Sequence, residues 1–484
     1  MFVVKDVFLL MCSVQNKAPI SNLTGSARCD SIAKCMRIAA VLLGVSVISA
    51  QSVGSDVQSL IDNRVNTAKK AVGIVVGTVE TTGVHIYSAG KTSAGGVEKP
   101  DGQTLFEIGS ITKVFTSLLL ADMIERGEVG ADDPVSKYLP GNAEVPSRDG
   151  KQITLLNLSM QNSGLPRLPD NMKPADAANP YADYDGPKLM AFLAGYKLTR
   201  DPGEKYEYSN LAVGLLGYAL AQRAHMSYEE LVRQRIFKPL HMDSSTISLS
   251  AEDKKRLAQG HDAALKPVKN WDLDALAGAG AIRSTAADML RFLAANMGLV
   301  DTPLKAAMER MRSVRSETGM PHVEIAMAWH IFSEFPPDLY WHNGGTAGYR
   351  SFAGMDVANK KGIVVLCNTF FDIDDIGKHE LNGKYPAPML EEVHEIKLEP
   401  KILSEYEGTY QLAPAFAIKF TARDGRLFTQ ATGQPEFEVF ASKKDEFFLK
   451  VVDAQVSFTR DADGKVTGMV LHQGGRDVPG PRAQ

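Results

Sequence analysis

Apolar positions early in the chain repeat with helical spacing. Val57, Leu60, Ile61 and Val65 share one face and predict a helix from about Ser55 to Lys70. The pattern then becomes an unbroken apolar run of strand length, Val72 to Val79. Thr81-Thr82-Gly83 supplies a turn, and Val84 to Ala89 reads as the returning strand. A second apolar helical run starts right after Lys113. The middle of the chain is helical and loop-rich, punctuated by Pro166, Pro169, Pro174 and Pro180. Thr285 and Asp288 have capping-box spacing ahead of an amphipathic helix carrying Met289, Phe292 and Leu293. Strands resume near Leu339-Tyr340-Trp341, and a hairpin follows from Tyr349 to Val357 and Gly362 to Leu366. Early strands, central helices and late strands predict a split α/β domain. Both ends of the segment build an antiparallel sheet flanked by helices, and a helical lobe is inserted between them.

The segment from Asn382 to Pro388 and the charged stretch after it read as a linker. Beyond about Leu398 the period changes to two. Strands are predicted at Phe416 to Ala422, Arg426 to Ala431, Glu446 to Val452, Val456 to Arg460 and Val466 to His472. Asp424-Gly425 and Asp463-Gly464 provide turns. The predicted organisation is an N-terminal extension and signal peptide (residues 1–50), a main domain (51–395) and a small all-β domain (396–484).

Composition narrows this picture. With 484 residues and 44% hydrophobic content, the chain can build a large core. A net charge of -4 gives no basic footprint for a nucleic-acid partner. Lys34 and Arg37 precede the apolar run Ile38 to Ile48, and Ser49-Ala50 offers small residues for cleavage. That run is short for a transmembrane helix, so it predicts export; a membrane association would follow only from its retention. Met36 fits as a start site, which makes residues 1–35 an extension. Cys12, Cys29 and Cys35 lie before the predicted cleavage point, so only Cys367 remains, in a strand-like run. No internal disulfide is available to such a mature chain.

Three segments carry candidate chemistry. Ser110 opens the helical run and Lys113 follows at i+3, so hydroxyl and ammonium share a face. A serine hydroxyl needs a neighbouring base and a positive field to act as a nucleophile, and Lys113 and a helix N-terminus offer both. Tyr208-Ser209-Asn210 precedes a helical run, and His342-Asn343-Gly344-Gly345 ends a strand. The plainer readings are Ser110 as a helix N-cap, Tyr208 as a packing aromatic with Tyr206 as its competitor, and His342 as a satisfied strand histidine. Arg350 reads as a surface salt-bridge residue, with assistance to carboxylate binding as its alternative. Asp372, Asp374, Asp375 and His379 lack metal-ligand spacing, so neither a metal nor a cofactor is expected.

Together, in this order, the three elements resemble those of the penicillin-recognising serine hydrolases, especially class C β-lactamases and related D-alanyl-D-alanine carboxypeptidases, D-aminopeptidases and esterases. The resemblance runs from about residue 55 to 380 and includes Ser163-Gly164-Leu165-Pro166, Asp201-Pro202-Gly203 and Ile282 to Asp288. It implies a β-lactamase-like fold. It further implies Ser110 as nucleophile, Lys113 and Tyr208 as the proton-handling groups, and Asn210 orienting Lys113 and binding the substrate amide. Gly344 would let substrate approach the strand, and Gly345 N–H would complete an oxyanion hole with Ser110 N–H. The implied substrates are β-lactams or peptidoglycan peptides in the bacterial periplasm. One departure stands out. Typical class C enzymes begin the third element with a lysine, and here it begins with His342. Histidine is mostly neutral at pH 7, which favours peptidases and carboxylesterases over lactam hydrolysis. A sensor that acylates without turnover is the non-enzymatic alternative.

Overall fold

A computed structural model describes residues 57–483 apart from 142, 414–415, 451–453 and 474–475. The expectations placed on residues 1–50 lie outside the described residues. The first helix, α1 (Val57–Asp62), continues as a π turn over Asn63–Thr67. The hairpin β1 (Gly73–Glu80) and β2 (Gly83–Gly90) follows. The inserted lobe includes α2 (Thr112–Glu125), α3 (Asn210–Ala224) and α4 (Ala286–Asn296). Six more strands come after it: β3 (Ser316–Met320), β4 (Val323–Ala326), β5 (Trp329–Phe332), β6 (Leu339–Gly345), β7 (Arg350–Asp356) and β8 (Lys361–Cys367). Helix α5 (Asp374–Leu381) follows β8. The antiparallel sheet has the order β2-β1-β8-β7-β6-β5-β4-β3, so both ends of the segment do build it.

The central strands explain their own sequence pattern. β1 pairs with β8, Ile74 opposite Cys367, Val75 opposite Leu366 and Val76 opposite Val365. Val75 and Leu366 pack into the core shared with Leu290 and Leu293 of α4. Ile74, Val76, Val365 and Cys367 face the other way, toward Ile61 of α1 and Ile376 of α5. Both faces are covered, so the strands read as continuous apolar runs rather than as alternation.

Some local expectations are corrected. Thr285 Oγ1 accepts from Asp288 N at 3.2 Å. The Asp288 carboxylate, however, accepts from Ser244 N and Ser245 Oγ, each at 2.9 Å, so only half of the predicted capping box forms. The strands β3, β4 and β5 were not predicted. Ala326 pairs with Trp329, which leaves the two-residue loop Met327-Ala328 with φ of +41° and +75°. Such loops ordinarily announce themselves by Asn-Gly or a similar pair. Here burial holds the loop instead: Met327 N donates to Met160 Sδ at 3.2 Å, and Trp329 is fully buried.

The C-terminal region is all β. Its eight strands are β9 (Gly408–Ala413), β10 (Phe416–Arg423), β11 (Arg426–Ala431), β12 (Phe437–Lys443), β13 (Glu446–Phe448), β14 (Ala454–Arg460), β15 (Val466–Gln473) and β16 (Arg476–Pro481). They pair in sequence order, and a bridge between Tyr410 and Arg482 brings the end back to the first strand, giving a barrel-like form. The predicted hairpins appear, while β9, β12 and β16 are additions. The interior is filled by aromatic rings. Phe458 lies 4.6 Å from Tyr406, 5.0 Å from Phe420 and 5.6 Å from Phe447, centroid to centroid. Among the described residues, no helix is long and apolar enough to cross a membrane.

Candidate active site

Ser110 sits on a single 3-10 turn, Gly109–Ile111, that leads into α2. Its hydroxyl does not cap that helix, whose N-cap is Ile111 without a side-chain bond. The hydroxyl instead accepts a hydrogen bond from Lys113 Nζ at 3.0 Å. Lys113 is fully buried, and its Nζ also donates to Ala279 O at 2.7 Å. The i, i+3 geometry expected from the sequence is therefore realised, with a backbone carbonyl fixing the far side of the ammonium.

Tyr208 reaches this pair from the loop before α3. Its ring centroid lies 4.9 Å from Lys113 Nζ, and its phenol hydrogen-bonds Ser110. Burial pushes the phenol up to about 12, against the opposing pull of the Ser110 hydrogen bond and the Arg167 guanidinium. Tyr208 therefore rests as a neutral phenol. Its competitor Tyr206 is turned to His330, with 2.9 Å between hydroxyl and Nε2. The loop is braced by the Ser163-Gly164-Leu165-Pro166 stretch and its flanks. Ser209 N donates to Gln161 Oε1 at 2.7 Å, and Ser209 Oγ donates to Pro166 O at 2.6 Å while capping α3 through Ala212 N. Asn210 N donates to Arg167 O at 3.0 Å.

The end of β6 closes the site from the other side. Ser351 Oγ donates to Ile108 O at 2.8 Å, tying the sheet to the serine turn. A Cβ at Gly344 would lie 2.0 Å from Ile108 O, so only glycine lets the strand come this close. Gly109 is constrained twice. Its φ is +49°, and a Cβ there would lie 2.7 Å from Gly345 N. The Gly345 amide thus lies beside the residue that precedes Ser110.

His342 is buried against this constellation, its ring 6.3 Å from that of Tyr208 and 5.1 Å from that of His330. Burial holds its imidazole neutral, well below the usual range, and His330 and Lys113 add to the effect. Nδ1 lies 2.6 Å from Asn343 O, which can only accept, so Nδ1 carries the proton. Nε2 is then a bare lone pair, buried and without a protein partner. His330 is likewise pushed down to about 4, by burial and then by Lys113.

The structure thus brings Ser110, Lys113, Tyr208, His342, Gly344 and Gly345 together. It corrects one expectation. Asn210 does not orient Lys113: its Oδ1 is buried with no partner, and its amide hydrogen-bonds Tyr181. Ala279 O does the orienting instead. Arg350 is salt-bridged as expected, its NH2 3.3 Å from Asp372 and 3.7 Å from Asp374. Asp375 is held by Arg64 at 2.6 Å, and His379 lies 2.7 Å from Tyr385 O. Burial pushes the Cys367 thiol up to about 12, as suits an inert core group. Sequence reasoning missed Arg167 and His330. Arg167 directly follows the Ser163 to Pro166 stretch, and its guanidinium lies 5.3 Å from the Tyr208 ring centroid.

Comparison with known proteins matches two regions of the chain. A family profile described as Beta-lactamase matches residues 57–382, and one described as a domain of unknown function (DUF3471) matches residues 394–480. The D-alanyl-D-alanine-carboxypeptidase/endopeptidase AmpH of Escherichia coli is 32% identical over 248 residues, covering 51% of this chain and 63% of AmpH. The chain therefore spans less than two thirds of that relative's length. Penicillin-binding protein 4* of Bacillus subtilis is 26% identical over 415 residues, covering 79% of this chain and 88% of the relative. Among solved structures, a β-lactamase/D-alanine carboxypeptidase from Yersinia pestis superposes with a TM-score of 0.56 at 26% identity, covering 65% of this chain and 92% of its own. A class C β-lactamase from Rhodobacter sphaeroides, at 23% identity and a TM-score of 0.59, shares the fold over 68% of this chain and 98% of its own. On the match over residues 57–382, the chain belongs to the β-lactamase family.

Proposed function

We propose that this chain is a serine hydrolase working through an acyl-enzyme. The observation that carries the reading is the contact of Lys113 and Tyr208 with a Ser110 hydroxyl that no helix cap occupies. Ser110 Oγ attacks the substrate carbonyl carbon. Its proton passes to the Lys113–Tyr208 pair in the form that lacks one proton, and a C–O bond forms. The N–H groups of Ser110 and Gly345 bind the tetrahedral oxyanion; one such donor is worth about 3 kcal/mol. Collapse breaks the bond to the leaving nitrogen, which takes the proton from the pair. Water then attacks the acyl-enzyme, gives its proton to the same pair, and Ser110 leaves reprotonated. Asn210, whose Oδ1 is free of protein donors, suits a substrate amide N–H.

The substrates this reading favours are D-alanyl peptides of the cell wall or β-lactams, in keeping with what the relatives are named for. A second reading, a carboxylesterase, is favoured by the neutral His342 where a lysine cation is usual. Export fits the apolar run after Arg37. The deciding assay measures turnover of a chromogenic cephalosporin, a D-Ala-D-Ala peptide and a p-nitrophenyl ester by the wild type and Ser110→Ala. Loss of all turnover with retained fold is expected. Full turnover by Ser110→Ala refutes the serine assignment, and a stable adduct without turnover replaces the hydrolase with an acylating sensor.

A further inference from the structure

Positive charge around Ser110 is almost wholly committed. Lys113 is buried and bonded to Ser110 and to Ala279 O. Arg350, opposite Gly345 in the β6–β7 register, faces Asp372 and Asp374. Arg283, on the strand that pairs with Phe106–Glu107, is met by Glu107 and Asp272. His342, in the middle of β6, presents an unprotonated Nε2. Arg167 differs. It is partly exposed, and among the described residues its guanidinium has no carboxylate at ion-pair distance. Its backbone is anchored. The carbonyl accepts from Asn210 N and Leu211 N at 3.0 and 3.2 Å, and Pro166 before it and Pro169 after it restrict the loop. Stacked at 5.3 Å on the Tyr208 ring, it stands one side chain away from the nucleophile.

An arginine that is preorganised, accessible and unneutralised beside a reacting centre is suited to bind a planar anion through two parallel hydrogen bonds. We propose that Arg167 is the anion-recognising residue of this site, binding a substrate carboxylate near the carbonyl that Ser110 attacks. The proposal rests on the serine-hydrolase reading above. It assigns the enzyme to carboxylate-bearing substrates and gives the charge that His342 lacks to a different loop. The bland role, a cation that only stacks on Tyr208, would affect every substrate alike.

The test uses the full chain and reversible serine adducts. Phenylboronic acid and its ortho-, meta- and para-carboxy derivatives are compared as competitive inhibitors of p-nitrophenyl ester hydrolysis, in the wild type, R167Q and R167K. A charge-assisted contact should make at least one carboxylated isomer bind the wild type about 10- to 100-fold more tightly than phenylboronic acid. R167Q should bring that ratio close to one, and R167K should restore part of it. Any change in ester turnover transmitted through Tyr208 is common to all four inhibitors and cancels in the ratio. A preference that survives in R167Q overturns the proposal. So does a wild type that favours no carboxylated isomer, an outcome that needs no variant to fold. Persistence of ester hydrolysis in Ser110→Ala, or absence of boronate inhibition altogether, overturns the underlying serine reading instead, and the proposal falls with it.

Discussion

Gly344→Ala isolates the contribution of the strand to the oxyanion site. A Cβ at this position would stand 2.0 Å from Ile108 O and 2.4 Å from Ser351 Oγ. Ordinary carbon–oxygen contact is about 3.3 Å, so the strand and the serine turn must part by about 1 Å. The hydrogen bond from Ser351 to Ile108, 2.8 Å long, spans the same gap and would stretch or break. Two costs follow. Overpacking destabilises by about 1–3 kcal/mol. Drawing the Gly345 N–H away from the Ser110 N–H removes up to one oxyanion donor, about 10²- to 10³-fold in kcat. Steady-state kinetics on a p-nitrophenyl ester and a cephalosporin give kcat and KM, while urea unfolding reports stability separately. Gly383→Ala is the control, because a Cβ there meets nothing within 4 Å. A folded Gly344→Ala enzyme whose kcat stays within about fivefold of wild type (~1 kcal/mol) would refute the placement of the oxyanion site at this strand.

Other outcomes can be stated more briefly. Tyr208→Phe should lower kcat by about 10²- to 10⁴-fold, as for loss of a positioned proton carrier; its ultraviolet titration, subtracted from that of the wild type, should show no phenol near pH 10, where an unperturbed tyrosine ionises. Burial, followed by Asp372, raises the Asp374 carboxyl from 3.8 to about 7. The folded chain keeps a proton there that the unfolded chain has released, so this group's contribution to stability falls as pH rises from about 4 through 7. Asp374→Asn removes that fall, so its melting temperature relative to wild type should climb from pH 4 to pH 8; a constant difference would refute the assignment. Phe458→Ala, which empties the centre of the aromatic cluster in the barrel-like region, should cost about 3–5 kcal/mol in denaturant unfolding.

The split sheet was legible because its central strands are apolar on both faces and its hairpins carry turn residues. Ser110 and Lys113 were legible because helical spacing alone joins them. Tyr208, His342 and Gly345 become part of the same site only through the tertiary fold, and the family resemblance supplied that link. What escaped has identifiable causes. The β4–β5 loop uses Met327 and Ala328 at positive φ, held by burial rather than by turn chemistry. Asn210 was assigned to Lys113 by resemblance, whereas the carbonyl of Ala279, which no side-chain pattern can announce, takes that place. Arg167 lies in a proline-flanked loop without periodicity, and its importance comes from a ring contact made across the site.

The pairing of Ile74 with Cys367 sets a schedule for biogenesis. β1 leaves the ribosome as a bare apolar segment and cannot find its central partner until nearly three hundred further residues have been made. At about 5–20 residues per second that is roughly 15–60 s of waiting. Throughout that interval β1 can pair only with β2, and its other edge, the one that later takes Cys367, stays open.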